Sequence, residues 1–207
     1  MEKGKPPFPL NNKFLSFIHL QGLDDWEALF YSNESLYQDV LKEVSSDDII
    51  LDVGAGDLSL SLLLSKKAKE VYAVEVNPLI VNKALEGIGY NLPVNLYVIC
   101  GNALKFEFPK NISVAILLMR HCQHFKEYFE KLKKTNCKKL ITNVRWKSVF
   151  EVIDLKVPRI PFSKLKEGWY ACECGMVGYK GEGNAPDSMP VEVSDCPHCS
   201  SEENIPK

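Results

Sequence analysis

Residues Ile49 to Asp57 read Ile-Ile-Leu-Asp-Val-Gly-Ala-Gly-Asp, and this stretch decides the fold of the 207-residue chain. An apolar segment, an acid and a turn with two glycines predict a strand leading into a helix, because glycine permits tight turns and close approach to a ligand. A second apolar segment ends in Glu75, 23 residues after Asp52. A carboxylate there can accept hydrogen bonds from both hydroxyls of a ribose. The pattern predicts a nucleotide-like cofactor at the carboxyl ends of two parallel strands.

The kind of cofactor follows from what the turn lacks. A dinucleotide fingerprint has three glycines, G-x-G-x-x-G, and here Ser59 stands at the third position. The negative charges of Asp52 and Asp57 would repel a pyrophosphate but not a cationic sulfonium. With these features the segment resembles motif I of the class I S-adenosylmethionine-dependent methyltransferases.

The resemblance extends from about Ile49 to Val144 and implies roles for individual residues. Asp52 and the turn Gly54-Ala55-Gly56 would hold the methionine part of the cofactor. Glu75 would bind the ribose, and Val76 would lie against the adenine. Asn102, followed by Ala103, stands where the family usually has an Asp that contacts the adenine amino group, and its amide oxygen can still accept a hydrogen bond.

Strand and helix patterns alternate along the chain, which predicts an α/β fold with a doubly wound, mostly parallel sheet. The predicted strands are 49–53, 71–75, 95–100, 114–119, 140–144 and 148–155, and the predicted helices are 14–20, 26–31, 33–44, 58–65, 78–87 and 123–134. The family usually ends its sheet with a hairpin. Since only the strand 148–155 is evident here, its partner is either absent or supplied by the tail.

A change of composition after Lys156 predicts a domain boundary. Val157-Pro158-Arg159-Ile160-Pro161 does not suit regular structure, because proline lacks a backbone donor and restricts its neighbours. We therefore expect a methyltransferase domain at 1–156 and a small module at 157–207.

The small module carries two cysteine pairs, Cys172-x-Cys174 followed by Gly175, and Cys196-x-x-Cys199. Two such pairs resemble a zinc ribbon, in which four thiolates close a tetrahedral structural site. A polar segment of about 40 residues buries little apolar surface and usually needs a staple. The alternative is two reduced, uncoordinated pairs. His198 lies between two cysteines and is expected to be a bystander.

Charge is unevenly distributed. Residues 167–207 hold eight acids and two lysines, a net charge of −6, whereas residues 1–166 have a net charge of +4. An acidic ribbon disfavours contact with phosphates, so we expect it to cover the sheet or to dock a protein. Any phosphate-binding face should lie in the first part. The lysines near 131–139 are expected to form a solvated surface.

The resemblance places the methyl acceptor beside the end of strand four, where Leu118–Phe125 replaces the Asn/Asp-Pro-Pro-Tyr/Phe of base-N methylases. His121 and His124 are the candidate general bases, because histidine titrates near neutral pH. The alternative is that one or both cap the next helix or pack. Cys122 is a weaker candidate for a nucleophile, since the Pro-Cys or Thr-Cys context of such enzymes is missing.

Arg145 and Trp146 follow strand five on the same edge. One interpretation has a base stacked on Trp146 with its phosphate on Arg145. The other has the tryptophan wedged against the fold with solvated neighbours.

The sequence therefore predicts an S-adenosylmethionine-dependent methyltransferase with structural Zn(II), whose acceptor is RNA by a slight preference. Protein or small-molecule acceptors stay open, as does a non-catalytic cofactor-binding module that docks partners through the ribbon. No stretch reaches the roughly 18 apolar residues of a membrane helix, and the N-terminus lacks an apolar signal region. A cytoplasmic location is expected.

Overall fold

A computed structural model describes residues 34–120, 122–146, 150–182 and 188–202 of the chain. The helices predicted at 14–20 and 26–31, and the first residue of the helix predicted at 33–44, lie outside these residues. The chain divides into two compact units, of which the first ends at Phe106 and the second begins at Glu107. The domain boundary predicted after Lys156 is a different division and stays a prediction.

The first unit alternates helices with parallel strands, as predicted to within two residues at most ends. Its elements are α1 (Glu34–Lys42), β1 (Ile49–Val53), α2 (Ser59–Ser65), β2 (Glu70–Glu75), α3 (Pro78–Gly87) and β3 (Leu96–Cys100). β2 pairs in parallel with β1 on one side and with β3 on the other. The register sets Val53 beside Val74 and Glu75 beside Cys100, so the three strands end together.

Local sequence explains where these elements begin and what they bury. All five residues of β1 are buried, as expected for a strand covered on both faces. α3 begins at Pro78, a residue suited to the first helical position, and the Asn77 side chain caps it by accepting from the Leu79 N–H at 3.0 Å. α1 buries Val40, and Val44, two residues after the end of the helix, is buried as well.

The second unit continues the α/β pattern. Its elements are β4 (Val114–Leu117), α4 (Phe125–Lys133), β5 (Lys139–Thr142) and β6 (Glu151–Asp154). β5 is parallel to β4, whereas β6 is antiparallel to β5. The sheet has six strands in the order β3-β2-β1-β4-β5-β6, which confirms the predicted α/β class with a mostly parallel sheet. Among the described residues, no strand of the tail joins it.

The tail forms a small sheet of its own. It contains β7 (Gly168–Cys172), β8 (Val177–Lys180), β9 (Val191–Val193) and a last helix, α5 (Pro197–Glu202). The strand order is β8-β7-β9, with β7 antiparallel to β8 and parallel to β9. Its core is the buried cluster of Cys172, Val193 and Cys196. We call residues 160–199 the ribbon.

A buried ion-pair network joins the ribbon to the end of β5. The guanidinium of Arg145 binds both carboxylate oxygens of Glu151, at 2.7 and 2.6 Å, and both of Glu192, at 3.0 and 2.7 Å. Burial lowers the pKa of Arg145, but its bonds to Glu151 and Glu192 outweigh burial and raise it. Because two carboxylates occupy its donors, Arg145 is not available to a phosphate. The structure therefore contradicts the interpretation in which Arg145 binds the phosphate of a base stacked on Trp146.

A second set of contacts joins the ribbon to α4. Lys133 Nζ donates to Glu173 at 2.9 Å, and Arg159 Nε lies 3.3 Å from the same carboxylate. Gly175, with φ +96°, packs so closely on Phe125 that a Cβ there would lie 3.1 Å from the ring. Two acids of the ribbon, Glu173 and Glu192, are therefore paired within the protein.

None of the helices in the part of the chain that the structure describes is long and apolar enough to cross a membrane.

We expect Arg145→Gln to lower the free energy of unfolding by about 3–5 kcal/mol, because it leaves two partly buried carboxylates without their partner. Urea denaturation followed by circular dichroism measures the change. Arg120→Gln, at an exposed position, is the matched control and should change stability by less than about 0.5 kcal/mol. A loss below about 1 kcal/mol for Arg145→Gln would show that the network does not hold the ribbon in place.

Candidate cofactor site and four-cysteine cluster

The turn after β1 has an unusual backbone. Gly54 and Gly56 have φ values of +76° and +55°, and between them Ala55 is buried. The N–H groups of Gly54 and Ala55 both donate to the carbonyl of Val74, at 2.9 and 3.0 Å. The first turn residues are thus fixed to the last residues of β2, which brings the predicted methionine-binding and ribose-binding elements together.

Leu58 completes the turn in a conformation that leucine rarely adopts. Its φ is +64°, and it precedes α2 as the helix cap residue. A left-handed conformation costs a non-glycine residue about 1–2 kcal/mol. Complete burial of the Leu58 side chain offsets that cost. The turn thus combines two glycines with a leucine held in a backbone conformation that it disfavours. Backbone strain of this kind is common at ligand-binding sites.

Glu75 is buried, and its carboxylate is fixed by the backbone. Oε2 accepts from the N–H of Gly56 at 3.0 Å, and Oε1 accepts from the N–H of Asn77 at 2.9 Å. A carboxylate has about four lone-pair sites, so two remain for other donors. The two backbone bonds hold the carboxylate oxygens in place, and the contact of Glu75 with a pair of hydroxyls stays a prediction.

Asp52 lies beneath the turn rather than on its surface. It is buried, and its Oδ2 accepts a hydrogen bond from Ser61 Oγ on α2 at 2.6 Å. Burial raises the pKa of Asp52 to about 6, and the charges of Glu75 and Asp57 add to the rise, while the bond from Ser61 opposes it. The residue supplies negative potential under the turn and joins β1 to α2.

Two residues of this site were not predicted from the sequence. Ser61 is the partner of Asp52, and Tyr37 on α1 lies near enough to Asp57 and Asp52 that their charges add to the effect of burial in raising its pKa. Ser61 stands nine residues after Asp52, across the end of β1, the turn and the start of α2, and no repeating spacing in the sequence marks it as the partner of Asp52. Tyr37 belongs to α1, and only folding brings α1 onto α2.

Asn102 and Val76 lie at the ends of neighbouring strands. The Gly101 N–H donates to the carbonyl of Glu75 at 2.8 Å, which places Asn102 beside the end of β2. The Asn102 Oδ1 already accepts from the N–H of Leu104 at 2.9 Å, and a carbonyl oxygen can accept a second bond. Ala103 is buried, whereas Val76 is 62% exposed, an apolar side chain without cover at the predicted adenine position.

The segment after β4 holds the predicted catalytic residues. His121 lies outside the described residues. His124 is exposed at the start of α4, makes no capping bond with its side chain, and has Nδ1 3.3 Å from Glu127 Oε1. The nearby Cys122 is partly buried, and burial raises the pKa of its thiol, which disfavours the nucleophilic thiolate.

Trp146 packs against other residues of the fold, and the neighbouring Arg145 is not free to bind a phosphate. Its Nε1 donates to Glu151 at 3.2 Å, and its ring meets the edge of Trp169 on the ribbon, with centroids 6.4 Å apart. Trp169 in turn meets Tyr179 at 5.6 Å. These contacts support the interpretation in which the tryptophan is wedged against the fold.

The four predicted metal ligands converge. The sulfur atoms of Cys172, Cys174, Cys196 and Cys199 all lie within 4.8 Å of one another. Three of the separations are 3.7, 3.6 and 3.8 Å. A tetrahedron with Zn–S bonds of about 2.3 Å requires about 3.8 Å between sulfurs, so the cluster has the dimensions of a zinc site. A hydrogen bond between thiols lowers the pKa of Cys174 and raises that of Cys172.

Similarity to other proteins agrees with this architecture. No family model matches the chain. An uncharacterized protein of Methanocaldococcus jannaschii is 32% identical over 99 residues, covering 47% of this chain and 36% of that protein. A probable ribosomal RNA small subunit methyltransferase A of Pyrobaculum islandicum is 34% identical over 85 residues, covering 41% of this chain and 34% of that protein. The chain therefore spans about a third of the length of these two relatives.

Among solved structures, a dimethyladenosine transferase from Plasmodium falciparum is similar over 54% of this chain and 41% of that chain, with 21% identity and a TM-score of 0.45. The probable methyltransferase from Pyrobaculum islandicum is thus similar to part of this chain. The parallel strand order and the glycine turn after β1 define a Rossmann-like α/β fold. The four-cysteine cluster near the C-terminus is an addition to it.

The raised pKa of Asp52 predicts a dependence of stability on pH. The carboxyl ordinarily titrates near 3.8 and here near 6, so the folded protein holds the proton more tightly than the unfolded chain does. The resulting stability is present below about pH 4 and is lost as the pH rises through about 6. Asp52→Asn, which has no proton to lose, should therefore be more stable than the wild type above pH 7, by on the order of 2–3 kcal/mol, and similar to it near pH 4.

Urea unfolding of the two proteins at pH 4, 6 and 8 checks this. Ser61→Ala removes the hydrogen bond that lowers the pKa of Asp52. This variant should therefore lose more stability between pH 4 and pH 8 than the wild type does. An Asp52→Asn protein that is less stable than the wild type at pH 8 would contradict the account.

Proposed function

We propose that this protein is an S-adenosylmethionine-dependent methyltransferase whose acceptor is RNA. The observation that carries the proposal is the buried Glu75 carboxylate, held by two backbone N–H groups at the carboxyl ends of adjacent parallel strands and beside a glycine turn. An acid at this place suits a ribose, and the acids beneath the turn suit a cation. The named methyltransferase among the relatives supports the same activity.

We propose the same cofactor-binding residues as the sequence predicts, with a changed role for Asp52. The turn Gly54-Ala55-Gly56 would hold the methionine part of the cofactor, and Glu75 would accept hydrogen bonds from the ribose. Val76 and Asn102 would contact the adenine, and the neighbouring Ala103 is buried. Asp52 acts through its negative charge from below the turn rather than by direct contact, since it is 3% exposed and bonded to Ser61.

The bound cofactor would supply an electrophilic methyl group, which leaves the sulfonium sulfur as the acceptor atom forms its new bond to carbon. The protein must orient the acceptor and take up its proton. We propose that either His124 or His121 accepts that proton. A neutral His124 that donates from Nδ1 to Glu127 would accept the proton at Nε2.

RNA is favoured as acceptor because the relative from Pyrobaculum islandicum is described as a probable ribosomal RNA small subunit methyltransferase. Incubation of the protein and radiolabelled cofactor with fractionated cell extract tests this point. We expect the label in RNA. Label in protein or in small metabolites would replace RNA with that acceptor class.

We further propose that the four-cysteine cluster holds one Zn(II) ion as a structural site. The sulfur separations fit a tetrahedron, and four protein ligands leave no open position for chemistry. The metal would stabilise a segment whose own buried core is small. The segment 157–207 is proposed as a module distinct from the methyltransferase domain at 1–156.

Isothermal titration calorimetry tests cofactor binding, and Glu75→Gln should weaken it by about tenfold, because the amide lacks one acceptor oxygen and the negative charge. Glu70→Gln is the matched control. It lies at the other end of β2, where its carboxylate accepts from Tyr72 at 3.1 Å, and its affinity for the cofactor should equal that of the wild type. If the wild-type protein binds neither S-adenosylmethionine nor its demethylated product, the enzyme assignment fails and a docking module replaces it.

Metal analysis tests the cluster. The wild-type protein should contain about one equivalent of zinc, and Cys196→Ser should lose the metal together with thermal stability. Cys100→Ser is the control, because Cys100 is an exposed thiol on β3, and it should keep the metal. Less than about half an equivalent of zinc in the wild type would favour two uncoordinated pairs instead.

A further inference from the structure

The positive charge of this protein is concentrated in one part of the chain. Residues 107–166 hold 14 Lys and Arg and five Asp and Glu, a net charge of +9. Residues 1–106 have a net charge of −5 and residues 167–207 of −6. An excess of this size within 60 residues needs a place in the fold, because like charges repel unless they are paired or meet a partner.

Part of the excess gathers where β4 and β5 begin. Four exposed lysines lie on three segments there, and we call them the lysine patch: Lys110, Lys134, Lys138 and Lys156. Backbone bonds hold the segments together. The Asn136 N–H donates to the Lys110 carbonyl at 3.2 Å, and the Leu155 N–H donates to the Lys138 carbonyl at 2.8 Å.

Two more contacts tighten the patch. The Lys138 N–H donates to the backbone carbonyl of Ser113 at 2.9 Å, and Lys156 Nζ donates to the backbone carbonyl of Thr135 at 3.4 Å. Asp154 is a neighbouring acid, and its Oδ1 accepts from the backbone N–H of Lys156 at 2.7 Å. Other basic residues of this unit behave differently, since Lys133, Arg145 and Arg159 pair with acids of the fold.

We propose that the lysine patch binds the phosphate backbone of RNA. This inference rests on the proposed function, because it gives the RNA acceptor a second point of attachment. Lysine on a flexible stem contacts phosphates as a point charge and reads no sequence, which suits attachment along a strand. The sequence predicts only a solvated surface for the lysines near 131–139, and this proposal gives RNA as the partner of that surface.

The structure favours nucleic acid over a lipid surface. A membrane-binding helix places basic residues on one face and exposes an apolar face for insertion. The basic helix here, α4, buries its apolar face, which includes Phe125, Phe129 and Leu132. The patch lysines lie on loops and at element ends, where the exposed apolar neighbour is the single side chain of Val157 rather than a helix face.

The position of the patch predicts how it acts. It lies at the amino ends of β4 and β5, and the segment with His124 follows the carboxyl end of β4. Strands of four residues separate the two ends by about 13 Å. The patch therefore contributes to RNA affinity and to KM, while kcat depends on groups at the other end.

Fluorescence anisotropy with a labelled 20-nucleotide single-stranded RNA of mixed sequence, in the absence of cofactor, tests the proposal. Lys110→Glu with Lys138→Glu should weaken binding at least tenfold and reduce the slope of log affinity against log salt by about 1.4. The matched control is Lys66→Glu with Lys69→Glu, two exposed lysines of the first unit, which should bind RNA like the wild type.

Three results would overturn the proposal: equal RNA affinities for both double variants, no binding of RNA by the wild type, or tighter binding of the wild type to phosphatidylserine vesicles than to RNA. Circular dichroism and calorimetry with S-adenosylmethionine, run on the same samples, separate this failure from that of the proposed function. If the protein binds the cofactor but the patch substitutions leave its RNA affinity unchanged, only the proposal of RNA binding at the lysine patch fails.

Discussion

The hydrogen bond from the Gly56 N–H to the buried carboxylate of Glu75 is the interaction on which the site depends. It joins the turn after β1 to the end of β2 at 3.0 Å, and a second bond from Asn77 fixes the other oxygen. Both glycines adopt positive φ so that this backbone N–H can point at the acid. The same contact that shapes the turn orients the carboxylate, so structure and proposed ligand recognition share one geometry.

Negative charge is the second organising feature of the first unit. Asp52, Asp57 and Glu75 act on one another closely enough that their charges raise the pKa of Asp52, which burial raises most. Concentrating acids beneath a turn destabilises the folded chain unless a cation arrives or a proton is taken up. An electropositive ligand would relieve that cost, which gives a physical reason for a sulfonium cofactor rather than a pyrophosphate.

Charge in the second unit follows a different logic. Acids of the ribbon pair with Arg145, Lys133 and Arg159, so the ribbon is attached to the α/β part through ion pairs. Its acidity, which from composition alone suggested a surface for a protein partner, is used in part within the chain. The exposed lysines at the start of β4 and β5 give that edge of the sheet a positive electrostatic potential.

The sequence by itself determined the α/β class, most element bounds and the pairs of cysteines, because these follow from local periodicity and from fixed spacings such as Cys196-x-x-Cys199. It also placed Glu75 and the glycine turn, since the carboxyl ends of neighbouring parallel strands must meet at one edge. The tertiary structure alone decided that Arg145 belongs to Glu151 and Glu192, 6 and 47 residues away, rather than to a phosphate. It alone decided that Asp52 is buried on Ser61, that Tyr37 lies near the acids, and that lysines from three segments converge. Periodicity reports which face of an element is apolar, but the partner of a charged group depends on long-range packing, which no local pattern records.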